Sequence, residues 1–350
     1  MIISKTEKVL LALLRAGLWM REPEEAELFP LTDDEWNEVY RLANEQTVAG
    51  PVFQGICMLE EEAMPPTELL ELWVVQVEHI EQASRHMAEI IDEIITFLHE
   101  KSLHPLLLKG HGIARMYEHP LQRSCGDIDL YLHDDEFEKG VAAFKEKGIT
   151  PKKMPDNAYI LKWKNIEVEL HNRVFDIYNP CCQKDIRKLT EAEGHDGIYP
   201  TPLMNLLILN THILKHIIGP GVGLRQLSDM ARAMYFLDGQ YDKDIYLQKC
   251  KDWHISKWSD QLHAILVKYL GLPTRYLPTT CEDIQPDDYI LQKILKGGNF
   301  GKHHDGNKGS YHGKWYTIKH SLGNIGHSLR LAPGETIGYL LQLAIGQYNE

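Results

Sequence analysis

Nowhere does this 350-residue sequence hold an apolar run long enough to cross a bilayer. A membrane span needs about 20 consecutive apolar residues, and the greasiest stretch, 206–218, is interrupted by His212, Lys215 and His216. No membrane partner is expected. The opening residues are apolar over too short and too broken a stretch for a signal peptide with a small-residue cleavage site, so a cytoplasmic location is expected. Cysteine is sparse: six residues, two of them adjacent (Cys181 and Cys182), with no Cys-x-x-Cys pair. That pattern argues against both a disulfide framework and a structural zinc site, and predicts reduced thiols. Positive charge is also short, with Lys plus Arg 37 against Asp plus Glu 50 and a net charge of −13. The average field repels DNA and RNA unless a local basic face overcomes it, so nucleic acid is disfavoured as a partner. Divalent cations, and nucleotides that arrive with them, remain compatible, because carboxylates gathered at one place attract such ions. Internal repeats and low-complexity tracts are absent too.

What is present is the composition of a globular protein, 43% hydrophobic and 25% charged. The length suits two or three packed units at about 100–200 residues each. The first hundred residues read as helix. An apolar stripe runs over 8–18, Thr32 and Glu35 form a capping box before Trp36, Val39, Tyr40 and Leu42, and Pro65-Pro66-Thr67 opens a long helix that ends near Lys101. The period then changes. Pro105 to Gly110 is a short apolar run closed by glycine, a buried strand entering a turn. A short helix over 112–117, an alternating strand over 127–132 and a helix over 134–147 follow. Two further strands, 159–163 and 166–171, flank a hairpin turn at Lys164-Asn165. After Pro200-Thr201-Pro202 the chain returns to helices over 203–218, 224–237, 245–251 and 256–270. A Gly-, His- and Lys-rich stretch over 297–314 reads as a mobile loop before a last helix over 335–348. The expected organisation is a helical region 1–102, an α/β core 103–199 and a helical region 200–350.

Chemistry concentrates at Asp127-Ile128-Asp129. Residues i and i+2 of a strand share a face, which sets the two carboxylates some 6–7 Å apart at the backbone. Two such acids repel unless a cation lies between them, and Mg²⁺, or Mn²⁺ in its place, suits hard oxygen ligands together with substrate phosphates. Alone the pattern is weak, since an Asp-x-Asp on a solvated strand face is common. Three neighbours strengthen it. Lys109-Gly110-His111-Gly112 follows a strand and offers backbone N–H groups to a phosphate. Glu169, on a separate strand, brings a third carboxylate, with Glu167 on the same face as the fallback. Arg123 stands just before the acids.

These residues resemble the polymerase-β-like nucleotidyltransferase superfamily. The likeness narrows to uncharacterised bacterial nucleotidyltransferases in which a Leu-Leu-Lys-Gly strand precedes an Arg, an Asp-x-Asp-Leu and an acid-Leu-His strand, here Leu107 to Gly110, Arg123, Asp127 to Leu130 and Glu169 to His171. It extends to Leu224 to Asp229. The resemblance implies an α+β fold, a small mixed sheet with helices, flanked by helical regions. It implies that Asp127, Asp129 and Glu169 ligate Mg²⁺ and are catalytic, with Glu169 a candidate base. Lys109, Gly110, His111 and Arg123 would hold nucleotide phosphates, and His171, His212, Arg225 and Asp229 would border the site. The implied reaction is attack of an acceptor hydroxyl on the α-phosphorus of an NTP, with pyrophosphate leaving. The acceptor is a small molecule, a sugar or a protein. Two alternatives stand beside it: a nucleotide-binding or regulatory module without turnover, and a transferase acting on RNA ends, which needs a local basic groove. The sequence departs from the superfamily pattern at His111, where Ser or Gly is usual, in the longer gap from Gly110 to Asp127, and in Glu rather than Asp as the third acid.

Plainer readings compete at several positions. His212 and His216 lie four apart, a spacing metal ligands use, but no third ligand is in view and a polar helix face is expected. Arg225 and Asp229, also four apart, read as a helix ion pair.

Overall fold

A computed structural model describes residues 3–154, 157–193, 195–219, 221–279, 284–299 and 325–348. The loop expected over 297–314 therefore lies outside the described residues from 300 onward.

Local sequence accounts for many element boundaries. Helix α1 (Lys5–Trp19) starts in a capping box of Ser4 and Glu7, and α2 (Asp33–Glu45) in the expected box of Thr32 and Glu35. Each box satisfies amide donors that the first turn leaves without partners. A short helix α3 (Ala49–Ile56), which the apolar periodicity did not mark, precedes the long α4 (Thr67–Glu100). The α/β segment follows as β1 (Leu106–Leu108), α5 (Gly110–Ala114), β2 (Ile128–Tyr131), α6 (Asp134–Glu146), β3 (Lys152–Lys153), β4 (Tyr159–Trp163) and β5 (Ile166–His171). Lys164 and Asn165 both take positive φ, 46° and 71°, as a two-residue hairpin turn matched to strand twist requires.

The remaining elements are mainly helical. They are α7 (Gln183–Ala192), a small hairpin β6 (His195–Asp196) and β7 (Tyr199–Pro200), then α8 (Pro202–Ile218), α9 (Leu224–Phe236), α10 (Lys243–Asp252), α11 (Ser256–Leu270) and α12 (Asp288–Gly297), with α13 over 325–331 and α14 (Pro333–Tyr348). No described helix is long and apolar enough to cross a membrane. The described cysteines are free thiols.

The sheet runs β1-β2-β5-β4-β3, and β2 pairs with β5 in parallel while every other pair is antiparallel. A parallel pair needs a long crossover, here α6 and the two strands after it. Alternation then sorts the side chains. Ile128, Leu130, Val168 and Leu170 pack with α6 and the second half of α4, from Met87 to Leu98. The intervening residues Asp129, Glu169 and His171 face the other way, toward α8 and α9. A second core joins the first helices to the last ones, with Trp36, Trp73, Trp253 and Trp258 fully buried in it.

One buried group in that second core makes stability depend on acid. His263 on α11 is fully buried, and its Nε2 lies 3.4 Å from the Tyr246 hydroxyl. Burial pushes its imidazole down to about 3, against about 6.5 in an unfolded chain. Between those values the unfolded chain holds the extra proton, so this stabilisation is complete above pH 6.5 and falls as pH drops, by about 1.4 kcal/mol per unit. Denaturant titrations at pH 6.5 and pH 5 are expected to show a slope that is shallower in His263→Leu than in the wild type by the contribution of this one group.

Candidate active site

The parallel register of β2 and β5 sets Asp129 directly beside Glu169, and antiparallel β1 sets Leu108 on the other side of Asp129. Lys109, the next residue, reaches Asp129 Oδ1 through its Nζ at 3.2 Å. His171 Nε2 lies 2.8 Å from the same oxygen and 3.4 Å from Glu169 Oε2. Asp127 sits one residue ahead of β2 and lines the same cavity wall. The register also settles which glutamate joins the aspartates. Glu167 pairs with the exposed Lys162 across β4, one position before the β2 ladder begins.

Charge is unevenly balanced over this group. Burial works against ionising Asp129, but the Lys109 ammonium and then the His171 hydrogen bond overrule it and hold the carboxyl well below the usual range. Burial likewise opposes charge on His171, yet its bonds to Asp129 and Glu169 raise the imidazole to about 9. Asp127 goes the opposite way: burial and then the charge of Asp129 push its carboxyl up. One aspartate is thus neutralised by the chain and its neighbour is not. Asp129, Glu169 and His171 each offer a ligand atom, all within 4.8 Å of one another. Two carboxylates and an imidazole at that spacing, beside a further acid left in like-charge repulsion, fit a divalent cation that displaces the His171 proton as it binds.

Facing these residues is a cavity of about 360 Å³, closed on its far side by helices α8 and α9. Lys109, Asp127, Asp129, Glu169 and His171 line the sheet wall. His212, Lys215 and His216 from α8 and Arg225 from α9 line the helical wall. His212 and His216 are therefore not the solvated helix face that their spacing suggested; their rings pack edge to face at 4.5 Å within the cavity wall. Asp176, just beyond β5, was not singled out in the sequence, yet it accepts from His212 Nδ1 at 2.8 Å and from Lys215 Nζ at 2.9 Å. A signal for this cluster existed in His212, Lys215 and His216, the three titratable residues of the mainly apolar α8, the later two lying three and four positions after the first.

Arg123 and Asp229 also line the cavity, but the Arg123 guanidinium, expected on phosphate, is taken up by that aspartate. Its Nε donates to Asp229 Oδ1 at 3.0 Å and its Nη2 to Oδ2, while the Tyr117 hydroxyl donates to Oδ1 at 2.8 Å. Asp229 therefore pairs with Arg123 rather than with Arg225 one turn away. Arg225 Nη1 instead donates to the Ser124 carbonyl at 3.1 Å. Together these contacts tie α9 to the segment that delivers Asp127. His111 is not on the cavity wall. It turns toward the Ser84 backbone on α4, and burial lowers its imidazole. Gly110 takes φ 41° and lines the cavity.

Lys109 itself sits at φ 46° and ψ −147°, a conformation that side chains rarely adopt and that costs on the order of 1–3 kcal/mol. Glycine would relieve that cost, partly offset by its freedom in the unfolded chain. Lys109→Gly is expected to be about 1 kcal/mol more stable than Lys109→Ala, the reverse of the order at an ordinary strand end. Denaturant midpoints of the two variants check this. The natural lysine is thus held at a position where local backbone energetics favour glycine.

A small mixed sheet that aligns carboxylates from two parallel strands over a cavity, with helices before and after it, is consistent with a nucleotidyltransferase fold. A family model described as an uncharacterised nucleotidyltransferase matches residues 32–271, and the chain belongs to that family. No curated protein and no solved structure matches the chain significantly.

Proposed function

We propose that the protein moves a nucleoside monophosphate from an NTP to a hydroxyl-bearing acceptor and releases pyrophosphate. The observation that carries this reading is the pairing of Asp129 with Glu169 across the parallel strands, with Lys109 on Asp129 and Asp127 alongside. Asp127, Asp129, Glu169 and His171 are the residues that would hold a divalent cation, Mg²⁺ or Mn²⁺. Such an ion supplies charge neutralisation on phosphate oxygens and orientation of the reacting groups. The chain's own contributions are positional and electrostatic. Lys109 and Arg225 place positive charge on the cavity wall, and α8 and α9 stand opposite the sheet face that carries the acids. The acceptor class is a small molecule, a sugar or a protein; the net charge of −13 works against RNA.

A second reading, a nucleotide-holding module without turnover, is favoured by one observation. Asp129 Oδ1 already faces both Lys109 and His171, as a site that dispenses with metal would arrange it. One experiment separates the two. The protein is incubated with each α-labelled NTP, Mg²⁺ and a cell extract, and the extract is fractionated for label. Transfer to one fraction with release of pyrophosphate is expected. Absence of both, with Asp129→Ala binding NTP and Mg²⁺ like the wild type, would sink the enzyme reading.

A further inference from the structure

We propose that His212, oriented by Asp176, is the general base that takes the proton from the attacking acceptor hydroxyl. The inference rests on the nucleotidyl-transfer reading and replaces Glu169 in the role of base. Glu169 is poorly placed for that work. Its carboxylate belongs to the cation-binding set and lies 3.4 Å from the His171 ring nitrogen, and a carboxylate shared with cations is a weak proton acceptor.

A competent base needs a place on the wall of the site, a partner that fixes its orientation, and a free lone pair at working pH. His212 meets the first on α8, where its side chain is only 15% exposed and lines the cavity shared with Lys109, Asp129 and Glu169. Asp176 meets the second through its 2.8 Å contact with Nδ1, and Asp176 is in turn anchored on its other oxygen by Lys215 at 2.9 Å. A carboxylate can only accept, so the imidazole proton resides on Nδ1 and the lone pair on Nε2. The third condition follows from the surroundings. Burial, and then the positive charge of Lys109, lower the His212 imidazole, while Lys215 is the first of the groups that keep Asp176 ionised against its burial. The ring is therefore neutral near pH 7 and its orienting carboxylate is charged.

The acceptor oxygen forms a bond to the α-phosphorus as its O–H bond breaks and the proton passes to His212 Nε2. The bond from the α-phosphorus to the oxygen bridging to the β-phosphate breaks, and its electron pair leaves on pyrophosphate. The imidazolium that results is stabilised by Asp176 and returns its proton to solvent as products depart. Asp176 and Lys215 act through His212 and are positioning residues.

The test uses α-labelled NTP and the extract fraction that accepts label from the wild-type protein. His212→Ala is expected to lower kcat by about 10²–10⁴-fold, the usual worth of a general base, with KM for the NTP essentially unchanged. Added imidazole is expected to restore part of the rate to His212→Ala, which a purely structural histidine would not show. Asp176→Asn, which can donate to Nδ1 and so shift the lone pair away from the cavity, is expected to lose about 10²-fold or more, and Asp176→Glu to recover part of it. If His212→Ala does not fold, His212→Asn keeps a donor at the Nδ1 position toward Asp176 without the basic nitrogen and gives the same comparison. Wild-type rates in a folded His212 variant, with Asp129→Ala inactive, would overturn the assignment and leave nucleotidyl transfer standing. No label transfer by the wild type would remove both.

Discussion

Asp127→Asn is expected to fold more stably than the wild type in metal-free buffer while losing label transfer by about 10³-fold or more. Two acids two residues apart should thus answer the same substitution with opposite signs of stability. The carboxyl of Asp127 is pushed up by burial and by the charge of Asp129, so its ionised form is unfavourable in the folded protein. Amide replacement removes that repulsion, a gain on the order of 1 kcal/mol for unit charges a few ångströms apart in a partly screened site. Asp129 is the counterion of Lys109 and the hydrogen-bond partner of His171. Asp129→Asn leaves a buried ammonium without its main partner and is expected to cost about 3–5 kcal/mol. Denaturant unfolding in EDTA reads both signs, and repeating it with Mg²⁺ supplies a measure independent of turnover. An ion that binds only the folded state raises stability in proportion to its occupancy, so Mg²⁺ should stabilise the wild type and leave Asp127→Asn nearly unchanged. If Asp127→Asn is destabilised in EDTA and responds to Mg²⁺ as the wild type does, Asp127 is not a ligand of the cation; if the wild type does not respond to Mg²⁺, the carboxylate cluster is not a cation site.

The other large effect is structural and lies far from the chemistry. Helices α1 and α3 cross on a pair of glycines. A Cβ built on Gly17 would stand 1.8 Å from the Pro51 carbonyl oxygen, and one on Gly55 would stand 2.0 Å from that of Leu13. Both obstacles are backbone, which cannot rotate aside as a side chain can. Gly55→Ala must therefore push the helices apart and open the core that Leu10, Leu13 and Leu14 build with Val52 and Ile56. The expected loss is about 3 kcal/mol or more, at the upper end for overpacked cores. Gly126→Ala, where an added Cβ meets nothing within 4 Å, is the control and should change stability by less than about 0.5 kcal/mol. Thermal and denaturant unfolding of the two variants separates them. Because α1 precedes residue 32, where the family match begins, the same comparison measures how firmly this leading helix is bound to the matched region.

Much of this protein is written in short spacings. The capping box at Thr32 and Glu35, the turn at Lys164-Asn165, the glycine closing β1 and the i, i+2 pair Asp127 and Asp129 are local patterns, and each marks an element or a chemistry that needs only its own few residues. The polar residues of α8 were visible in the same way, but an apolar helix interrupted by His212, Lys215 and His216 reads equally well as a solvated stripe until the partner surface is known.

What the spacings could not carry is which distant residues meet. Glu167 and Glu169 share a strand face, and only the parallel ladder of β2 with β5 puts Glu169 opposite Asp129. Arg123 stands beside the acids in sequence and lines the cavity, yet Asp229, 106 residues later, takes up its guanidinium. Asp176 had no motif at all; it acquired a place at the site when β5 ended against α8. Period and capping act over a turn of helix or a pair of strand residues, so the sequence by itself determined the longer helices, the main strands and the acid pair. Strand pairing and charge partnering join positions a hundred residues apart, and the packing of the whole chain decided the third acid, the fate of Arg123 and the histidine facing the cavity.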